Sequence, residues 1–460
     1  MDKMNNLSEQ HPFLSRPNWT IISLSFPILL SLIAEPVTGL IDTGFVAQLG
    51  TVSLAALGVG TGALSSVFWV FNFLGIGTQT EIAQTYGKGN HEEAVKAVSL
   101  AMMMGALISV VLFVVLMVSA SGFAGLLGAQ GTVLDEASLY IRVRLLGAPA
   151  VIITIVGFGA LRGIQDMQTP LWIALAINIT NIVLDYLFIF GVAFIPPMGV
   201  GGAALASAIS QWVGAGWMLW VIRRRIGFTT DVNLRDGINL IKIGRDLFIR
   251  TGLLTLFMLI ATRVATQIGD EAGAAHQVIR QVWFFTALVL EAFATTAQSL
   301  VGYFYGSQHF DYARRVARVT IIWSLGTGVV LAVAMALTTD WVVATFVPAD
   351  AIGVFLGAWV VASVSQPLNA IAFITDGIHW GTSDYSFLRN GMMLASFTGL
   401  VGLQLIPIEH AEAFTYVWYV TVLWIGIRGV WGFLRVFPGI GTSPLRRDLT
   451  SRVKMSKLST

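Results

Sequence analysis

Ser99–Leu134 reads SLAMMMGALISVVLFVVLMVSASGFAGLLGAQGTVL, without one Asp, Glu, Lys or Arg. Roughly 20 apolar residues let a helix cross a bilayer, and a run of this length and composition is read as such a span. The rest of the chain has the same character. Of its 460 residues 55% are hydrophobic and 11% charged, with a mean hydropathy of +0.76. Globular domains carry about 25% charged residues. So much apolar surface exceeds what one water-facing core can hide, which excludes a soluble cytosolic enzyme. A formal net charge of +2 offers no basic face to nucleic acid. The absence of cysteine removes disulfides, thiol catalysis and thiolate metal sites. Met1–Asn18 is polar and carries Pro12 and Pro17, unlike a cleavable secretory leader, so the chain is expected to be retained whole.

Apolar stretches of spanning length predict an all-α membrane protein with twelve transmembrane helices. They lie near 19–48, 52–82, 95–121, 136–161, 167–193 and 200–224, then near 239–268, 272–303, 312–337, 351–378, 385–407 and 412–436. Lys and Arg collect in short cytoplasmic loops. Here they follow the even-numbered spans: Lys88 and Lys96; Arg162; Arg223, Arg224, Arg225, Arg235, Lys242 and Arg245; Arg314, Arg315 and Arg318; Arg389; then Arg446, Arg447, Arg452, Lys454 and Lys457. The connections after odd-numbered spans hold neither, although Arg142 and Arg144, near the start of the fourth span, count the other way. Both termini are therefore expected in the cytoplasm, the chain lying in the inner or plasma membrane. The expected organisation is a cytoplasmic segment 1–18, an N-lobe 19–224, a linker 225–238, a C-lobe 239–436 and a basic tail 437–460.

Shifting the chain against itself by 219 positions brings Gln48 onto Gln267, Gly50 onto Gly269, Gln79 onto Gln298, Tyr86 onto Tyr305 and Gly87 onto Gly306. A shift of 218 then pairs Pro149 with Pro367, Gly159 with Gly377, Gly163 with Gly381 and Asp166 with Asp384. The chain is thus two homologous six-helix halves. Six being even, both run the same way through the membrane, as in parallel-repeat carriers, whose substrates bind between two lobes near the bilayer midplane. Two lobes forming a V around a central cleft are expected, with the basic linker as hinge. A passive pore accounts for two unequal repeats less well.

An ionisable side chain inside a span is costly unless paired or hydrated, which makes each one a functional candidate. Glu35 and Asp42, two turns apart, share a face of the first span, with Pro36 expected to break the hydrogen-bond ladder between them. Asn178, Asn181 and Asp185 form one polar stripe on the fifth. Counted from the outer ends of their spans, Asp42 and Asp185 lie at similar depth and could meet. Two carboxylates in low dielectric do not both ionise easily, which suits uptake of a proton, while added Asn oxygens would suit Na+. The residues leave both ions open, as well as a purely structural network of Asp185 with the two Asn, and a Glu35 that merely supports the proline break. The shift places Glu35 on Leu254 and Asp42 on Ala261, confining the carboxylate site to one lobe.

The second half has Glu291 in the middle of the eighth span, aligned with Asn72, and Gln298 on the same helical stripe. Glu291 is expected to serve coupling or to bind a cationic substrate, or else to sit in a buried pair. Arg280 lies about 16 Å along the axis from it and, like Arg263, reads as snorkelling to water. Arg428 and Asp376 read as an ion pair. Phe68, Trp69, Phe71, Phe73, Trp283, Phe284 and Phe285 offer stacking surfaces for an aromatic cation if they face the cleft, and lipid or core contacts if they do not. No Walker motif, His-Glu-x-x-His helix or Gly-x-Ser-x-Gly elbow is present. Energy would then come from an ion gradient, at roughly 2.3 kcal/mol per charge per 100 mV, with H+ or Na+ as coupling ion and no other cofactor.

Leu40–Val46 (LIDTGFV), Gln84–Asn90 (QTYGKGN), Leu161–Asp166 (LRGIQD), Asn178–Tyr186 (NITNIVLDY) and Gly201–Ala206 (GGAALA) together resemble the multidrug and toxic compound extrusion (MATE) transporters, over essentially all twelve spans. Arg245–Thr251 (RDLFIRT) and Asp376-Gly377 resemble the subfamily of the DNA-damage-inducible protein F. The resemblance implies export of organic, often cationic and aromatic, compounds in exchange for H+ or Na+ by alternating access, by a chain acting as a monomer among membrane lipids. It carries the family's N-lobe cation site onto Asp42, Asn181 and Asp185, with Ser207 a further ligand. The acid of the eighth span, commonly Asp in the subfamily, is Glu291 here. Acids that other branches use for Na+ in spans seven and ten are missing, Arg250 and Arg263 standing in the one and Asn369 in the other, which favours H+. The competing readings are a lipid-linked oligosaccharide flippase, which would need several cleft cations where only Arg263, Arg280 and Arg428 are candidates, and an intramembrane aspartyl enzyme built on Asp42 and Asp185. The parallel repeat with acids in one half argues against an enzyme.

Overall fold

Apolar runs fix where this chain crosses a membrane, and proline fixes where the crossings bend. The computed structural model describes residues 10–192, 194–233 and 236–446. After a short helix at Pro12–Ser15 come α1 (Pro17–Ala47), α2 (Thr51–Gly87), α3 (His91–Leu126), α4 (Gly131–Leu145 and Ala148–Gly163), α5 (Gln168–Phe190) and α6 (Gly199–Arg225). The second half has α7 (Asp236–Ile268), α8 (Asp270–Gly306), α9 (Phe310–Leu337), α10 (Ala349–Val364 and Gln366–Gly381), α11 (Tyr385–Gln404) and α12 (Ala413–Val436). Among the described residues the only extended pairing is the single bridge Val192–Ile195. Nine of these helices pass as spans by length and apolarity, and the bent α4 and α10 make two more. The 20 residues of α11 give a helix of about 30 Å, again a bilayer's thickness. Arg235 of the expected linker and Arg447, Arg452, Lys454 and Lys457 of the expected tail lie outside the described residues.

The bends are 52° in α4 and 46° in α10. Each falls just before a proline, Pro149 or Pro367, near the start of the second segment. Proline lacks the N–H that would bond the preceding turn and crowds its carbonyl, so the ladder fails there. By contrast α1 runs through both Pro27 and Pro36. The break expected at Pro36 is therefore one missing ladder bond inside a continuous helix. In α2 a break at Phe71 separates Thr51–Val70 from Asn72–Gly87, and the equivalent stretch of α8 is unbroken.

The chain divides into two compact units, one of residues 26–244 and one joining residues 10–25 to 245–446. Each rebuilds the same contact. In the first unit, a Cβ on Gly159 of α4 would strike the carbonyl of Gly75 in α2, and one on Gly163 would strike Gln79 and Ile82. In the second, a Cβ on Gly377 of α10 would strike the carbonyl of Ala294 in α8, and one on Gly381 that of Gln298. Small residues one turn apart allow backbones to touch where lipid offers no hydrophobic drive. The turns repeat as well. Left-handed backbone recurs at Gly89 and Gln308 (φ 67° and 62°) and at Gln165 and Ser383 (φ 66° and 59°). Asp166 and Asp384, next along, pair with arginines in the last turns of α6 and α12: Arg225 at 2.6 Å and Arg435 at 2.8 Å. Gly377→Leu is expected to cost at least about 1–3 kcal/mol by overpacking, read as a lower melting temperature in detergent. An unchanged melting curve would show slack at this contact.

The opening residues pack away from where hydropathy places them. Phe13 and Ile21 are wholly buried with Leu300 and Phe304 of α8 and Val316 and Ala317 of α9. The Ser25 hydroxyl bonds that of Thr296 at 2.8 Å, and Trp323 donates to Asn18 at 3.0 Å. Residues 19–25, expected in the N-lobe, thus belong to the second unit, because hydropathy reports that a segment is buried and not against what.

Candidate cation site

The first unit brings together the acids predicted to meet. The carboxylates of Asp42 on α1 and Asp185 on α5 lie within hydrogen-bond reach of each other. Asp185 is fully buried and Asp42 half-buried. Oδ1 of Asp42 and both oxygens of Asp185 receive no donor from the described residues. One turn before Asp185, Asn181 is buried and its Nδ2 donates to Ser207 Oγ of α6 at 3.3 Å. That contact depends on close helix approach: a Cβ on Gly202 would strike the carbonyl of Phe188, so α6 lies directly against α5. Asn178 continues the stripe, half-buried.

Two further residues belong to this cluster. Tyr140, on the first segment of α4, is 3% exposed and packs over Gly60 of α2. Arg144, one turn on, lies within charge range of Tyr140, Asp42, Asp185 and Glu35. Its Nη1 finds no partner among the described residues. Sequence reading passed over both. The available signal was Arg144 itself, which departs from the pattern of basic loops. Glu35 is exposed on α1 and makes no side-chain hydrogen bond among the described residues. The structure sets it near Arg144, not in contact with the acid pair.

The predicted substrate residues are divided between the two units, Phe68 and Asn72 in the first and Arg280, Phe284, Glu291 and Gln298 in the second. Arg280 donates to Gln277 at 2.8 Å. Gln298 is buried at the contact of α8 with α10. Glu291 is half-buried on α8 and lies within charge range of Arg428. Arg428 in turn donates to Asp376 Oδ2 at 3.0 Å, as the ion-pair reading expected, and Arg250 of α7 donates to the same oxygen. Both guanidinium groups rest on indoles, Arg250 over Trp380 and Arg428 over Trp424. Asn72 is exposed at the start of its helical segment, Phe68 packs on the core of the first unit, and Phe284 is exposed and set edge-on to Phe285. Among the described residues no group of three His, Cys, Asp or Glu could hold a metal ion.

Two six-helix units that repeat one contact, with a carboxylate pair buried in a spanning region, define an all-helical membrane transporter fold. A family model for MatE matches residues 27–187 and 247–405, and the chain belongs to that family, the multidrug and toxic compound efflux transporters. Protein DETOXIFICATION 44, chloroplastic, of Arabidopsis thaliana is 28% identical over 447 residues, covering 94% of this chain and 84% of its own length. DNA damage-inducible protein F of Escherichia coli (strain K12) is 26% identical over 445 residues, covering 92% of this chain and 90% of its own. A crystal structure of MATE in the bent conformation matches with a TM-score of 0.84 at 21% identity, over 93% of this chain and 97% of that one.

Proposed function

We propose that the chain exports small organic compounds in exchange for protons, and that Asp42 and Asp185 carry the proton. The observation behind this reading is the pair itself: two carboxylates within hydrogen-bond reach, with three of their four oxygens lacking any protein donor among the described residues. Ionised carboxylates only accept, so such a contact is comfortable when one proton lies between them. Arg144 supplies a counter-charge when that proton leaves. Asn181 and Ser207 hold α5 and α6 in register behind the pair. The same Arg144 speaks against Na+ at Asp42, Asn181 and Asp185, since a second cation would bind beside a resident one. The flippase reading loses one of its three cations, Arg428, to Asp376. The likeness to DNA damage-inducible protein F supports a place in that subfamily, and the placing of Lys and Arg after even-numbered spans supports a plasma or inner membrane location with both termini cytoplasmic; the chain is taken to work as a monomer.

The test is efflux of a fluorescent aromatic cation from proteoliposomes, driven separately by a pH and a Na+ gradient. Transport under the pH gradient alone is the expected result, and transport under Na+ alone would overturn it. Glu291→Gln should leave pH-driven efflux intact and narrow the range of cationic substrates. An unchanged substrate profile would confine Glu291 to a structural role.

A further inference from the structure

Away from the acid pair, the first turns of α5 and the last turns of α6 enclose a groove of about 420 Å³. Its walls are the indoles of Trp172, Trp217 and Trp220, and Arg224 and Arg225 stand at its end. All three indoles are exposed, and their N–H groups donate to no protein group among the described residues. Arg225 is held by Asp166. Arg224 lies over the Trp220 ring, 4.3 Å from its centroid, and has no ion pair among the described residues. No carboxylate lines the groove.

We propose that this groove binds one anionic glycerophospholipid from the leaflet facing the arginine-rich helix ends. Trp217, Trp220, Val221 and Arg224 fall on one face of α6 at helical spacing, so indoles within the hydrocarbon border lead to a cation at the water boundary. That order matches a lipid from acyl chain to phosphate. The acid at this end, Asp166, is already held by Arg225, so a zwitterionic headgroup would bring its ammonium beside the unpaired Arg224 with no free carboxylate to receive it, and charge selects phosphatidylglycerol over phosphatidylcholine. A plain aromatic belt has neither a groove between helices nor an unpaired guanidinium at its end.

The experiment is native mass spectrometry of the full-length chain in detergent, titrated with phosphatidylglycerol, phosphatidylcholine or inorganic phosphate, for wild type and Arg224→Gln. Arg224 is exposed and outside the acid site, so the variant is expected to fold, and its melting temperature checks this. Wild type should retain phosphatidylglycerol in preference to phosphatidylcholine, and Arg224→Gln should bind it about fivefold more weakly with phosphatidylcholine unaffected. Equal retention of the two lipids by wild type, or undiminished phosphatidylglycerol binding by the variant, would overturn the assignment. Competition by inorganic phosphate at matching concentration would also overturn it, by showing a bare anion site in place of a lipid groove.

Discussion

Asp42→Asn is expected to bring gradient-driven efflux down to the level of empty liposomes while the protein purifies and melts as wild type does. The amide has the size of the carboxylate and can donate permanently to Asp185, so the contact between α1 and α5 survives. What it cannot do is gain and lose a proton, and the pair is then fixed in one state through the whole cycle. Asp185→Asn should behave alike for transport, with a larger penalty in folding because Asp185 is fully buried and an altered hydrogen bond there is not rescued by water. The measurement is cation efflux from proteoliposomes under a pH gradient, alongside substrate binding to the same preparation. Binding retained with transport lost is the signature of a coupling group. Wild-type efflux by Asp42→Asn would sink the proposed proton path outright.

The largest effect on stability is expected at Asp376. One oxygen of this buried carboxylate accepts from both Arg250 and Arg428. Asp376→Ala would strand two guanidinium groups that are 8% and 6% exposed. Breaking a buried pair in this way costs about 3–5 kcal/mol, enough to prevent the chain from accumulating in a membrane. Removing a charge of each sign should restore much of the loss: Asp376→Leu combined with Arg250→Met leaves Arg428 with Glu291, whose charge already acts on it. Expression yield and melting temperature of the single and the double variant decide the matter. A single variant as stable as wild type would show that Arg250 and Arg428 do not depend on Asp376.

The spans were legible because a bilayer imposes one rule, length without charge, and the chain obeys it nearly everywhere. The meeting of Asp42 with Asp185 was legible for a related reason, since depth can be counted in residues from the ends of two spans. Rotation about the helix axis cannot be counted that way. It decides that Arg144 turns toward the acids and that Arg250 joins Arg428 on Asp376. It also turns Phe68 against the core of the first unit. Those partners depend on which faces of several helices pack together, and a near-uniform apolar composition leaves the choice open. The proline bends of α4 and α10 could have been read from Pro149 and Pro367, whereas the break at Phe71 has no such marker.

Residues 17–25 of α1 belong to the second unit, and residues 236–244 of α7, lying 219 positions later, belong to the first. Each half of the chain therefore lends the opening turns of its first helix to the other and receives the matching turns in return. This is the exchange seen in domain-swapped dimers, carried out here within one polypeptide. A six-helix protein consisting of the second half alone would lack Phe13 and Ile21, which are wholly buried in its core.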